Sequence, residues 1–454
     1  MPGMEIKGRR YSVLGAARSG RAVAALLKRH GAEVLVSDLA PLEQMKEARR
    51  ELEDLGIASE FGAHSDRVLD ADVVVVSPGV PSNAPPVQAA LRRKMEVVSE
   101  LEVGSWFCGS PIIAITGTNG KTTTATLTGA ILEQAGRPVA VAGNIGTAFS
   151  QVVETLTPET TVVLEVSSFQ LDFCRTFRPR VAVLLNITPD HLDRYEHSFE
   201  KYSDAKARVF SRQGKGDVIV FNADDPETVR QTEAKAPEGV ALVPFSVGGT
   251  PVNGAFVDKG QMIAIVGNVR HKIIAVSAIG IPGQHNLSNS MAASLAALAM
   301  HVPPSVIAET LSTFRGVEHR LEFVRDLNGV RYVNDSKGTN VDSVWYALQS
   351  FESPIVLILG GRDKGNDYSR LMELVRKNVR AIIAIGESAD KVVKAFRDVR
   401  PVVTASTMEE AVRLATTQSL RGDVVLLSPA CASFDWFENY EHRGRIFKEV
   451  VRGL

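Results

Sequence analysis

Residues 115 to 124 read ITGTNGKTTT, between the apolar run PIIA at 111 to 114 and ATLTGAILEQAG at 125 to 136, whose pattern predicts a helix. A strand that feeds a glycine-rich turn and then a helix is an arrangement that holds phosphate. Gly117 and Gly120 let the backbone bend so that successive N–H groups point inward, and the helix N-terminus adds positive potential. Lys121 then reaches the β- and γ-phosphates of a nucleotide, and Thr122 offers a hydroxyl to Mg²⁺. The full G-x-x-x-x-G-K-[ST] pattern needs glycine at position 115, which is Ile115 here, so the loop is a shorter variant. The plainer alternative is an ordinary strand-to-helix turn with a surface lysine.

Outward from this loop, short Val/Ile/Leu runs alternate with amphipathic stretches: YSVLG, EVLVSD and DVVVVSPG before it, and TTVVLEVS, VAVLLNIT, DVIVFN, PIVLILGG, RAIIAIG and DVVLLSPA after it. Continuous apolar strands between helices predict parallel sheets covered on both faces, hence an α/β protein. At 454 residues the chain exceeds one ordinary core, and ~100–200 residues per domain suggests about three. One break is expected near residue 100, before the strand that feeds the loop. Another is expected near 316, after a long Ala/Leu-rich segment. Beyond it, LEFVRDLNGVRYVND places Asn328-Gly329 between two β-rich arms, a hairpin signal. The expected domains are therefore 1–99, 100–316 and 317–454.

Apolar residues make up 44% and charged residues 23%, as in ordinary globular domains, which excludes fibrous and disordered classes. A net charge of -1 argues against nucleic acid as the main partner. Cys108, Cys174 and Cys431 are far apart and show no metal or disulfide spacing, so a reducing, cytoplasmic setting is expected. No run is long and apolar enough to predict a membrane span.

A second turn, G-A-A-R-S-G from Gly15 to Gly20, follows YSVL and precedes RAVAALLKRHG, with Asp38 ending the next strand. This is a dinucleotide-fold layout, but Ala17 replaces the middle glycine that lets a pyrophosphate approach. A Rossmann-like domain holding another nucleotide, an NAD site and a purely structural turn all remain open. Glu165 lies within an otherwise apolar strand, where burial is costly unless a cation or donors meet it; supporting a nucleotide-bound Mg²⁺ is one such role, and a surface ion pair is another. After VAVLLNITP comes a polar burst, with Asn186, Asp190, His191, Asp193 and Arg194 at a strand's C-terminal end, where ligands bind in open α/β sheets. His191 there serves either a ligand or a helix cap. Lys206 shares a predicted helix with Lys201 and Arg208, and from the residues alone it reads as solvated surface.

Taken together, several ordered motifs resemble the Mur ligase family: G-T-N-G-K-T-T at 117 to 123, G-N-I-G at 143 to 146, E-V-S-S-F-Q-L at 165 to 171, N-I-T-P-D-H-L-D-R-Y at 186 to 195, G-x-H-N at 283 to 286, H-R at 319 and 320, and N-D-S-K-G-T-N at 334 to 340. F-Q-L and S-P-A-C-A-S-F-D at 428 to 435 are similar to the family branch that adds D-glutamate. The resemblance implies a Rossmann-like N-terminal domain, a central P-loop ATPase-type domain and a C-terminal Rossmann-like domain. It also implies an ATP-dependent ligase of peptidoglycan precursor synthesis that joins D-glutamate to UDP-N-acetylmuramoyl-L-alanine through an acyl phosphate.

By the same resemblance, ATP is bound by Gly117, Thr118, Asn119, Gly120, Lys121, Thr122 and Thr123, with Asn286, Arg320 and Asp335. Two Mg²⁺ ions are implied on Thr122, Glu165, His191 and Lys206, the last as a carbamate formed with CO₂. Lys121, Asn144, His191 and Lys206 are the implied catalytic set. Arg18, Ser19, Asp38 and Gly79 (in the SPGV turn, 77 to 80) are expected on the UDP side. Lys337, Thr339, Lys364, Ser433 and Tyr440 are expected on the D-glutamate side, Tyr440 standing where the family usually has phenylalanine. A hinge is expected near 315 to 319, and the chain is expected to act as a monomer. Three rivals remain: another amino acid-adding Mur ligase, folylpolyglutamate synthase, and an NAD-sensing nucleotide switch.

Overall fold

A computed structural model of the protein describes residues 6–144, 146–267, 269–363 and 365–454. The strands predicted from apolar runs form three sheets. The first is wholly parallel, β1 (Arg10–Leu14), β2 (Glu33–Asp38), β3 (Ala58–Phe61), β4 (Val73–Val76) and β5 (Glu96–Ser99), in the order β3-β2-β1-β4-β5. Val13, Val36, Val75 and Val98 enter the core on one face, while Leu14, Val74, Val76 and Val97 enter the core on the other. Burial on both faces explains why these strands read as unbroken apolar runs instead of alternating ones.

The second sheet has nine strands: β6 (Ile112–Thr116), β7 (Val139–Gly143), β8 (Thr161–Glu165), β9 (Val181–Leu184), β10 (Val218–Asn222), β11 (Ala241–Phe245), β12 (Gly254–Asp258), β13 (Gln261–Val266) and β14 (Val269–Ala275). Its order is β14-β13-β12-β11-β10-β9-β6-β8-β7, and β6 lies between β8 and β9. The strand reading stopped at β10 in this region, and the antiparallel β12–β13–β14 edge went unforeseen. Segments such as VRHKIIA carry too many polar residues to stand out as strands, because one edge of the sheet meets solvent.

The third sheet holds β15 (Glu322–Leu327), β16 (Val330–Asn334), β17 (Ile355–Gly360), β18 (Val379–Ile385), β19 (Val402–Thr404) and β20 (Val424–Leu427), in the order β15-β16-β20-β17-β18-β19. The Asn328-Gly329 hairpin joins β15 to β16, with φ of 56° and 80° at the two turn residues. The chain packs as two compact units. One holds the residues through Ile279 together with Ser288–Phe314, and the other holds Gly280–Leu287 and Arg315–Leu454. The first two sheets therefore share a unit. No helix among the described residues is long and apolar enough to cross a membrane.

Candidate active site

The glycine-rich loop leaves the C-terminal end of β6 and opens the helix Lys121–Gln134, as the sequence predicts. Gly120 is its N-cap at φ 88°, and a Cβ there would lie 2.4 Å from the Asn289 Oδ1, so the turn admits only glycine. The segment after β9 holds the loop from beneath. Thr118 N–H donates to the Asn186 carbonyl (2.8 Å), Asn119 N–H to Asn186 Oδ1 (2.8 Å), and Asn186 Nδ2 returns a bond to the Asn119 carbonyl (3.0 Å). Lys121 Nζ lies over the loop, donating to the carbonyls of Gly117 and Thr118, both at 2.9 Å. Thr123 is buried in the first turn of the helix.

Glu165 ends β8, which pairs with β6, and its carboxylate is buried. Thr122 Oγ1 donates to its Oε2 at 2.7 Å, and Asn144 Nδ2 lies 3.4 Å from its Oε1. Asn144 follows β7, the other neighbour of β8, so three adjacent strand ends converge on one carboxylate. A hydroxyl, an amide and a carboxylate at a helix N-terminus form the hard-oxygen donor set that suits Mg²⁺. The E-V-S-S-F-Q-L motif gains a local explanation here. Ser167 and Gln170 form a capping box for the short helix Ser168–Leu171, which sets Phe169 edge-on to His191, with ring centroids 5.1 Å apart.

His191 stands at the N-cap of the 3-10 turn Leu192–Tyr195 with φ 51°. It is a cap by backbone position alone, since its side chain makes no cap hydrogen bond and its imidazole is exposed. Lys206 departs from the surface reading: it is 2% exposed, on the inner side of the helix Phe199–Ala207. Its Nζ donates to the Gly117 carbonyl at 2.8 Å and sits 4.6 Å from the Tyr202 ring centroid. Burial, reinforced by the charge of Lys121 and opposed by Asp190, pushes its pKa well below the ordinary lysine value. Spacing did not reveal this, because Lys201 on the same helix and Arg208 just after it do face solvent.

A cavity of about 450 Å³ opens at the C-terminal end of the first sheet, lined by Gly15, Arg18, Ser19, Asp38, Gly79 and Asn144, among others. Gly20 lets the helix Arg18–Arg29 pack against the end of β1, since a Cβ there would meet the Gly15 carbonyl oxygen at 1.8 Å. Asp38 accepts from Ala16 N–H (2.6 Å) and Ala40 N–H (2.8 Å), so it shapes the turn as well as facing the cavity. In the SPGV turn, Ser77 N–H bonds to the Leu14 carbonyl and Val80 N–H to the Ser77 carbonyl. Arg194 holds this turn from the second sheet, donating to the carbonyls of Pro78 (3.0 Å) and Gly79 (3.2 Å) while its guanidinium covers the Phe169 ring at 4.2 Å. Arg194 belongs to the polar burst and Ser77 to the SPGV turn that the sequence pointed to, whereas His64, which also lines the cavity, was not foreseen.

In the second unit, Asn286 Nδ2 donates to the Pro282 carbonyl. Arg320 lies 3.7 Å from the fully buried Asp335, which also accepts from Ser428 Oγ at 2.7 Å. Burial raises the Asp335 pKa, and Arg320 opposes the rise. Lys337 Nζ sits 5.6 Å from the Tyr440 ring, Thr339 lies two residues along the same turn, and Ser433 is buried in the segment after β20. Lys364 lies outside the described residues. Arg443, another residue the sequence reading passed over, is 1% exposed and bonds Ser336 Oγ, the Ser336 carbonyl and the carbonyls of Cys431 and Ala432, so it staples together the two segments that carry Lys337 and Ser433. Glu318, His319 and Glu322 are grouped closely enough for a metal, but Lys448 Nζ bonds both carboxylates, making the group an ion-pair cluster.

A glycine-rich loop at a helix N-terminus beside a buried carboxylate, with a cavity whose wall holds the amide that approaches that carboxylate, is the layout of a nucleotide-using enzyme. Comparison with known proteins agrees. Family models match for the MurD N-terminal domain (residues 10–85), the Mur ligase middle domain (115–297) and the Mur ligase glutamate ligase domain (319–431). The UDP-N-acetylmuramoylalanine--D-glutamate ligase of Salinibacter ruber is 50% identical across 99% of both chains, and that of Chloroherpeton thalassium is 46% identical over the same share. Among solved structures, a pseudomurein peptide ligase type C from Methanothermus fervidus covers 98% of this chain and 100% of its own, with a TM-score of 0.60 at 20% identity. A UDP-N-acetylmuramate-alanine ligase from Thermotoga maritima also covers 98% of this chain and 99% of its own, with a TM-score of 0.60 at 19% identity. The chain belongs to the Mur ligase family.

Proposed function

We propose that this enzyme uses ATP to join D-glutamate to UDP-N-acetylmuramoyl-L-alanine in the cytoplasm, acting as a monomer. The observation that supports the reading best is the shared carboxylate. Glu165 is bonded by Thr122 of the phosphate loop and approached by Asn144 of the cavity wall, so a nucleotide on one side and a UDP-linked acid on the other would react beside it. We assign residues 1–99 to the UDP end, 100–316 to ATP and 317–454 to the amino acid.

In this reaction a carboxylate oxygen of the acceptor attacks the γ-phosphorus, and the bond to ADP breaks. The amine of D-glutamate then adds to the acyl carbon, loses a proton, and expels phosphate to leave an amide. The two anions of the first step repel by ~4 kcal/mol per pair of unit charges at ~4 Å and an effective dielectric of ~20. Lys121 offsets this on the nucleotide side, with the N–H groups of the loop from Gly117 to Gly120 and the hydroxyls of Thr122 and Thr123. Thr122, Glu165, His191 and Lys206 would hold two Mg²⁺ ions, which when bound supply positive charge to the phosphates and the acceptor carboxylate.

The donor set fits that role if Lys206 carries a carbamate. Burial lowers the pKa of this amine, which enlarges its uncharged, nucleophilic fraction, and that nitrogen can attack CO₂ and release a proton. The resulting anion is attracted to Lys121, whose charge disfavours a protonated Lys206. Asn144 and His191 would orient the muramoyl-alanine end, with Arg18, Ser19, Asp38 and Gly79 toward UDP. Asn286, Arg320 and Asp335 would complete the ATP contacts. Lys337, Thr339, Lys364, Ser433 and Tyr440 would receive D-glutamate, a dicarboxylate that needs donors and positive charge.

The test is phosphate release from ATP with UDP-N-acetylmuramoyl-L-alanine and a panel of amino acids. Release that needs both the acceptor and D-glutamate is expected. Release with another amino acid alone, or with no amino acid, overturns the assignment.

A further inference from the structure

Arg194 stands on the 3-10 turn Leu192–Tyr195 after β9, and its side chain reaches across to the SPGV turn that follows β4. Nη1 donates to the Pro78 carbonyl at 3.0 Å and Nη2 to the Gly79 carbonyl at 3.2 Å. One planar fork thus grips two successive peptide groups, which the point charge of a lysine does not reproduce. The Phe169 ring lies 4.2 Å from the guanidinium carbon and sets the plane of the fork. Phe169 is held in turn by the capped helix Ser168–Leu171. The base of the clamp is anchored as well. Tyr195, the next residue, is buried and donates its hydroxyl at 3.0 Å to Asp172, just past that helix. Val80, Ser82 and Phe173 close around the guanidinium.

Pro78 and Gly79 line the cavity, whereas Arg194 is not among its lining residues. The arginine therefore acts on the cavity through the backbone of the lip. A trans peptide carries its N–H opposite its carbonyl, so the grip on the Pro78 carbonyl also fixes the direction of the Gly79 N–H. The same grip ties a lip built by the first sheet to the segments after β8 and β9, which bear Phe169 and His191. Binding energy gained at one end of a long substrate speeds reaction at the other only where the parts between are held in place.

We propose that Arg194 is a positioning residue for the ligase reaction, its two-carbonyl grip on the Pro78-Gly79 lip carrying contacts at the nucleotide end of the acceptor through to the reacting carboxylate. The inference rests on the proposed function and deepens it, by naming the part that joins the two ends of that site.

The experiment compares two acceptors in the full-length enzyme: UDP-N-acetylmuramoyl-L-alanine, and N-acetylmuramoyl-L-alanine 1-phosphate, which lacks the UMP portion. The quantity read is the ratio of kcat/KM for the full acceptor to kcat/KM for the short one. Arg194→Met should lower this ratio about tenfold, the effect of losing charge-assisted bonds to the lip. Arg194→Lys, the milder variant, keeps the charge without the fork and should lower it about threefold. Methylguanidinium added to Arg194→Ala should return the ratio toward the wild-type value. A general loss of structure would lower both acceptors alike. Equal losses for the two acceptors, or an unchanged ratio in both Arg194→Met and Arg194→Lys, overturn the role of Arg194 while leaving the ligase assignment intact. Wild type that turns over neither acceptor with D-glutamate overturns both.

Discussion

At the scale of single residues, Lys206 and Asp172 show how burial redirects an ionisable group. If Lys206 carries the carbamate proposed above, Lys206→Ala should lower kcat roughly 100-fold or more, and added formate should restore part of the loss. Wild-type turnover in that variant would remove Lys206 from the mechanism. Asp172 accepts from the Tyr195 hydroxyl at 3.0 Å, and burial raises its pKa to about 6, against the opposing pull of Arg208 and Arg194. Its folded pKa lies above its unfolded value of 3.8, so as pH rises the unfolded chain loses this proton first. The stability contributed by the protonated form is therefore full below about pH 4 and is lost as pH passes through about 6. Asp172→Asn removes that dependence. The wild type should lose up to about 3 kcal/mol relative to the variant between pH 4 and 7, read from denaturant melts across that range.

At the scale of elements, what the sequence disclosed depended on how each side chain is surrounded. Strands buried on both faces, such as VVVV of β4, announce themselves as apolar runs. The Asn328-Gly329 turn and the loop from Gly117 to Gly120 were equally legible, because their backbone angles restrict which residues fit. The β12–β14 edge was hidden by its polar face, and the burial of Lys206 was hidden because a helix does not print which of its sides faces inward. Arg443 was invisible for a related reason. It lies on the helix Tyr440–Gly453 among Glu441, His442 and Arg445, and its partners are mostly main-chain carbonyls from distant segments. It stays charged, burial bringing its pKa down only to about 10. Arg443→Met should cost roughly 3 kcal/mol by leaving several buried carbonyls without a donor. The same variant should raise KM for D-glutamate, and a midpoint and KM matching wild type would show that the staple is dispensable.

At the scale of the molecule, the candidate site residues fall in two packed units. The phosphate loop, Glu165 and the cavity belong to one, while Lys337, Thr339, Ser433 and Tyr440 belong to the other. Lys337→Met should therefore raise KM for D-glutamate about tenfold while calorimetry shows UMP binding unchanged. A parallel loss of UMP affinity would contradict that division. The cleft beside the first sheet also has a pharmacological meaning. Its rim is drawn from both early sheets, with Arg194 pinning one lip, and its lining includes none of the glycine turn from Gly117 to Gly120. If the proposed UDP end binds there, a compound wedged into this cavity would compete with the sugar-nucleotide without imitating a purine triphosphate, so added ATP would not displace it.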